Sequence, residues 1–372
     1  MLLVHREKPT QLGPTGLALR PDGGLALLSE RSDAPGFRSG HLLDFSPNGR
    51  QLRGPGGSIA ARTSTYGSLV PISGGFLVWD EEEAGHEHLI HAFGFDGAAL
   101  AKFGDEGTVK LPRKLVPQAF EPAPDGGSVV VGLTRAKAMA IYRLGPDGRP
   151  LKSFGHDGLA YAFRGGYSIA YDALVEADGD TVVTGWDGDR VGVARLRPDG
   201  TLDRGFGHRG EVDVALGEES FGDAIAAWPG GGVVIAATRE SARHHKSTEL
   251  IRLDRRGHLE EGFGRGGVVR VGTERRPLAL LVTGRRIVVV TNPILEGESR
   301  RAGVDLRAFL PDGAVERRFA HRGNEHYGEG KSGPYFLPAA AVAQPGGRIV
   351  VGGTAAFGHR HTKAELVRFR VP

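Results

Sequence analysis

Fourteen histidines stand near aspartates, tyrosines and arginines in this 372-residue chain, and they are its first candidates for chemistry. His86-Glu-His88 and His359-Arg-His361 each place two imidazoles on one side of an extended segment, a spacing that suits metal chelation or proton transfer. His244 and His245 are adjacent in a third polar stretch. In an acid–base scheme His86 or His88 is the base, near neutral in pKa, and Asp80 or Asp187 orients it. Tyr66 or Tyr167 would serve as the acid, and Arg135 or Arg239 would hold developing negative charge. The alternative for all three pairs is a solvated loop. A metal site needs ligands converging from several segments, so no metal or cofactor is expected.

Other chemistry is excluded by residue type. The absence of cysteine removes disulfides, thiolate metal sites and Cys nucleophiles. GEGKSG (328–333) ends like a phosphate-binding loop, but Glu325 stands where that loop needs its first glycine. No GxSxG elbow, HExxH pair or dinucleotide fingerprint occurs. The 47 basic and 44 acidic residues are interspersed, so the basic tract of a nucleic-acid binder is missing. No stretch approaches a membrane span, and MLLVHREKPT is too short in apolar residues for a signal peptide. The compartment stays open between cytoplasm and export with a trimmed leader.

The elements that must position these residues come from a repeat. LGPDGRPLKSFGHDG (144–158) and LRPDGTLDRGFGHRG (196–210) share a 15-residue frame with 93–107, 253–267 and 309–323, and 45–57 is a shortened copy. The fifth-position glycines, Gly49, Gly97, Gly148, Gly200, Gly257 and Gly313, recur every 48 to 57 residues. Phe103, Phe154, Phe206, Phe263 and Phe319 follow six residues after five of them and are expected to plug gaps between neighbouring units. Within 223–271 the apolar runs are strand-length and carry no helical period. Gly-rich turns join the first two runs, and a Pro-Asp-Gly turn follows the third. The turn acids Asp147, Asp199 and Asp312, with Asn48, recur like calcium ligands. Each turn offers a single oxygen, so they are read as acceptors for turn N–H groups.

Four antiparallel strands (a to d) repeated at this period predict an all-β, seven-bladed β-propeller forming one domain. The blades fall near 9–61, 62–112, 113–163, 164–216, 217–272, 273–328 and 329–372 plus 1–8. The last unit lacks a strand d, and residues 2–6 are expected to supply it by pairing with 365–370, removing two open sheet edges. The recurrent LxPDGxLDxxFGxxG resembles the delta-60 repeat family of bacterial proteins, most clearly at 144–158 and 196–210. The resemblance implies propeller architecture and transfers no catalytic residue.

Function is expected on the face carrying the irregular b–c and d–a connections, because variable loops on a rigid frame carry binding and catalysis. The channel mouth there is rimmed by Tyr66, Tyr167, Phe221, Arg276 and Tyr335 from the starts of strands a. Glu30, Asp80, Arg135, Trp186, Asp187, Arg239 and Asn292 come from the ends of strands b. The first expectation is a monomeric binding module holding a small molecule or peptide in this polar, aromatic-rimmed pocket, with neither nucleic acid nor membrane as partner. The alternative is an enzyme of lyase, hydrolase or cyclase/isomerase type, using His86, His88, Asp80, Asp187 and Tyr167 at the same mouth.

Overall fold

The computed structural model describes residues 2–6, 14–34, 37–52, 58–63, 66–82, 87–134, 137–163, 165–293, 303–328, 335–357 and 361–371. Twenty-eight strands form seven four-stranded antiparallel sheets, and no helix occurs among the described residues. This is the seven-bladed propeller expected from the repeat. The first sheet is β2 (Pro14–Leu19), β3 (Leu25–Ala34), β4 (Phe37–Phe45) and β5 (Ser58–Thr63), followed by β6 (Tyr66–Ile72), β7 (Gly75–Glu82), β8 (Glu87–Gly94) and β9 (Thr108–Lys110). The third is β10 (Leu115–Pro122), β11 (Ser128–Thr134), β12 (Met139–Leu144) and β13 (Leu159–Ala162). The fourth is β14 (Ser168–Val175), β15 (Thr181–Asp187), β16 (Arg190–Leu196) and β17 (Glu211–Val214). The fifth is β18 (Glu219–Ala227), β19 (Val233–Glu240), β20 (Lys246–Leu253) and β21 (Val268–Thr273). The sixth is β22 (Arg275–Thr283), β23 (Arg286–Pro293), β24 (Val304–Phe309) and β25 (Asn324–Tyr327). In the last, β1 (Leu2–Arg6) lies beside β28 (His361–Arg370), then β27 (Arg348–Phe357) and β26 (Tyr335–Gln344).

The expected closure by residues 2–6 is present. Leu2 faces Arg368, Leu3 faces Val367 and Arg6 faces Glu365, so the edge of β28 is paired.

The chain divides into two compact units. One comprises 1–111, 295–306 and 318–372 and the other 112–294 and 307–317. In the first, Leu17, Leu25, Leu27 and Phe45 pack with Val350 and Leu366, while Leu28 and Leu42 pack with Leu69, Phe76 and Val78. Alternation along each strand sends these side chains into the spaces between sheets.

The second unit shows why the repeat has its form. Phe154 is fully buried with Val183, Ala194 and Leu196 of the next sheet, and Phe206 fills the same place against Val233, Ile235 and Leu253. The glycine after each Phe donates its N–H to the following turn: Gly155 to Asp199 O (2.8 Å), Gly207 to Arg256 O (2.7 Å) and Gly264 to Asp312 O (2.8 Å). Gly200 has φ +79°, and a Cβ there would sit 2.5 Å from Gly155 N. Glycine at this turn therefore serves both its left-handed backbone and the close approach of the neighbouring sheet. The turn acids accept as expected: Asp147, Asp199 and Asp312 take N–H bonds from Arg149, Thr201 and Ala314 at 2.9–3.0 Å.

The strand pattern does not reveal a recurrent bulge in the first strand of each sheet. In β10, β14, β18 and β22 the register shifts between Pro117 and Ala119, Ala170 and Asp172, Gly222 and Ala224, and Pro277 and Ala279. The extra residue bends the strand and re-aims its side chains.

Candidate functional site

A cleft lies in the second unit, along β17. Its volume is about 750 Å³. The β13–β14 connection contributes Phe163 and Tyr167, the end of β15 contributes Asp187, the turn before β17 contributes His208, and β17 contributes Glu211 and Asp213. Asp213 is paired across the ladder with Gly192, over which Met139, Asp187 and Phe163 close tightly. A Cβ on Gly192 would lie 3.2 Å from Asp187 Cβ and 3.3 Å from the Phe163 ring. Glu211 is anchored by accepting the Phe163 N–H at 2.6 Å.

Charge in this cleft is crowded and one-signed. Burial pushes the Asp187 carboxyl up to about 6, and the negative charges of Asp213 and Glu211 push the same way, while Arg190 opposes. Asp213 is also raised, by desolvation first and by Asp189, again against Arg190. Arg190 is half exposed and lies 3.4 Å from Asp189, so one solvated guanidinium answers four carboxylates.

Tyr167 lines the cleft and leads into a group of aromatic rings. Tyr167 is 42% exposed and meets Trp186 edge-on at 5.2 Å between centroids. Trp186 stacks on Phe221 at 6.2 Å and 19°, and Tyr171 meets Phe221 at 6.4 Å. The indole Nε1 of Trp186 is buried and has no hydrogen-bond partner among the described residues. Lys137 Nζ lies 5.1 Å from the Tyr167 centroid.

Acids also line the first strands of this unit. Asp172 accepts the N–H of Ala173 and, from the next sheet, of Ile225, both at 2.8 Å. Burial carries its carboxyl up to about 7 and that of Glu121 well above the ordinary range, with Asp172 adding to the latter. Asp223 accepts the Thr238 N–H at 2.7 Å and lies 3.5 Å from Arg276; burial still lifts it to about 6. Burial, and then the charge of Asp223, also raise Tyr171.

A third acidic group, Glu176, Asp178 and Asp180, has its oxygens within 4.8 Å of one another. Arg195 occupies it, 2.7 Å from Glu176 and 2.9 Å from Asp180. The cation this group needs is part of the chain.

The residues singled out from sequence are distributed unevenly. Tyr167, Trp186, Phe221 and Asp187 come together as described, and Arg276 joins them through Asp223 and Tyr171. Arg239 is in the same unit, at the equivalent of Asp187 one sheet further on, and Asn292 faces Arg276 across β22 and β23. Asp80, His88, Tyr66, Glu30 and Tyr335 belong to the first unit. Asp80 is buried and faces Tyr66 across the ladder. The imidazole set against Asp80 is that of His91, three residues beyond His88, with Nε2 at 3.5 Å; its Nδ1 lies 3.1 Å from Thr108 Oγ1. His88 instead has its ring 5.9 Å from that of Trp79. Glu30 pairs with Gly40 in β3 and Tyr335 with Ala356 in β26. His86, Arg135 and His359 lie outside the described residues.

Glu211, Asp213 and His208 do not fall at the ends of strands a and b where the sequence places the channel rim, because the cleft opens along strand d. Aligning the repeats by their FGxxG glycines carries the signal. Tyr161, Asp213 and Arg270 then share one position, occupied by a neutral, an acidic and a basic residue.

Comparison with known proteins agrees with this architecture. Residues 176–206 match the model of a domain of unknown function (DUF5122) beta-propeller, which supports a propeller repeat family. The sequence matches no curated protein. Among solved structures the chain is similar to the polysaccharide lyase Uly1, with a TM-score of 0.52 at 9% identity over 97% of this chain and 90% of that one. It is also similar to prolyl oligopeptidase B from Galerina marginata (TM-score 0.49, 12% identity, 97% of this chain), of which it spans half the length. The calcium-binding protein regucalcin from Agrobacterium tumefaciens aligns with a TM-score of 0.43 at 13% identity, over 80% of this chain and 87% of that one. At 9% identity the likeness to Uly1 is one of fold.

Proposed function

We propose that this protein is a binding module whose β17 cleft takes a small molecule or peptide carrying a protonated amine or guanidinium beside an apolar face. One observation carries the reading: Asp187, Glu211 and Asp213 line one cleft, with Asp189 beside them and a single exposed arginine to answer the four. A bound cation relieves that repulsion, and the exposed Tyr167 face backed by Trp186 suits the apolar part of such a ligand. The repeat that builds the cleft is, in this reading, of the delta-60 type, supported by the LxPDGxLDxxFGxxG frame at 144–158 and 196–210.

The test is isothermal titration of agmatine and tyramine into the full chain at low ionic strength. Binding should weaken at least about tenfold in Asp187→Asn/Asp213→Asn, the loss expected for a charged hydrogen-bonding pair. No heat from either amine, or equal heat from the double variant, sinks the reading.

A second reading rests on Asp187 itself. A carboxyl held near 6 beside other acids is suited to general-acid work in a hydrolase, lyase or isomerase. Turnover of a defined substrate that falls as pH rises through about 6, with that alkaline limb lost in Asp187→Asn, would favour it over simple binding.

A further inference from the structure

The geometry points to a second, oppositely charged ligand site one sheet further along the same unit, an oxyanion pocket formed by Arg239, Arg265 and Arg270. These residues, with Leu216, Glu249 and Val268, line a separate cavity of about 350 Å³. They occupy the repeat positions of the acidic cleft. Arg270 faces Glu249 across β20 and β21 as Asp213 faces Gly192 across β16 and β17. Arg239 corresponds to Asp187 and Arg265 to His208 in the shared frame.

The pocket is built rather than merely basic. Glu249 is 4% exposed, accepts Ser247 Oγ–H at 3.0 Å and takes Arg270 Nε–H at 3.0 Å. That bond uses Nε, and the terminal N–H groups of a guanidinium form the fork that matches a carboxylate or phosphate. Arg239 Nε is buried without a hydrogen-bond partner among the described residues, and the guanidinium lies against Gly217, where a Cβ would come within 2.6 Å of Nε. A buried donor of this kind requires an acceptor. Arg265 is exposed at the rim, which leaves three cations around one carboxylate.

The chemistry is shared by phosphate esters and carboxylates, and two probes separate them. Inorganic phosphate and acetate are titrated calorimetrically into the full chain at low ionic strength and pH 7. Binding of phosphate alone assigns a phosphorylated ligand, and binding of both assigns the pocket to carboxylates as well. Arg270→Gln and Arg239→Gln should each weaken binding at least about tenfold. Arg265→Gln, at an exposed loop position where folding is not at stake, should weaken it about threefold. Asp213→Asn should leave anion binding unchanged, so this site and the amine cleft stand or fall separately. Failure of both anions to bind at about 10 mM, far weaker than an arginine pocket should show, overturns the proposal. So does wild-type binding in folded Arg265→Gln and Arg270→Gln.

Discussion

The two cavities beside β17 and β21 are copies of one place in the repeat that have taken opposite charge. Where the fourth sheet has Asp187, Gly192, His208 and Asp213, the fifth has Arg239, Glu249, Arg265 and Arg270. The third sheet has Thr134, Ala140, His156 and Tyr161 there, and neither described cavity. The acidic cleft measures about 750 Å³ and its counterpart, lined by the buried Glu249, about 350 Å³. The lesson is that the scaffold is set by the Phe-Gly and Pro-Asp-Gly positions, which are locked between sheets. The cavity-lining positions on the second, third and fourth strands differ in charge from sheet to sheet.

The largest effect should come from making one copy resemble the other. Asp187→Arg/Asp213→Arg places cations where the amine is proposed to bind, and like-charge contact costing about 3 kcal/mol would weaken agmatine more than about a hundredfold. Titration calorimetry on the folded variant reads this directly.

Next are the joints on which both cavities hang. Gly257→Ala would put a Cβ 2.9 Å from Gly207 N, and Gly313→Ala would put one 3.0 Å from Gly264 N, both at φ near +80°. Each should lower stability by about 2 kcal/mol, measured by denaturant unfolding, because overpacking and a left-handed non-glycine residue add. The first should impair the acidic cleft and the second the basic one.

The pH dependence of stability should be smaller and of definite sign. Asp172 titrates at about 7 in the folded chain and near 4 when unfolded, so the folded state binds more protons across that interval. Its stabilising contribution is complete below about pH 4 and is lost as pH rises through 7. Asp172→Asn should therefore gain stability relative to the wild type between pH 5 and 8, as melting temperatures at several pH values would show. Asp187, partly open to solvent, should contribute the same sign with less weight. Tyr167→Ala should have the smallest effect, weakening tyramine a few-fold through loss of about 1 kcal/mol of ring contact while leaving phosphate untouched.

Much of the frame was legible because it is periodic. The period, the turn glycines and the alternating strands are local, and pairing of Leu2–Arg6 with β28 followed from counting strands. The aromatic–carboxylate grouping of Tyr167, Trp186, Phe221 and Asp187 was legible for the same reason, since strand ends fall at predictable points. The bulge in each first strand was not, because one extra residue leaves no mark in an alternating apolar run. It bears on the acids next to it: Asp223 is the residue inserted in β18, and Asp172 follows the insertion in β14. Nor could sequence distinguish His91 from His88, because the choice depends on which neighbour in β8 shares a sheet face with Asp80. The Arg195 lock on Glu176 and Asp180 depends on contacts between strands that single-strand patterns do not carry.

The central claim is that Asp187 marks an unsatisfied cation site, and its own titration tests this most directly. Carboxyl carbon-13 shifts of labelled aspartates, assigned with Asp187→Asn, would give its apparent pKa with and without saturating agmatine. The account predicts a value near 6 in the free protein, falling toward the ordinary aspartate value when the amine binds, and unmoved by phosphate. An Asp187 that titrates like a solvated aspartate in the free protein, or one that agmatine does not shift, would contradict it.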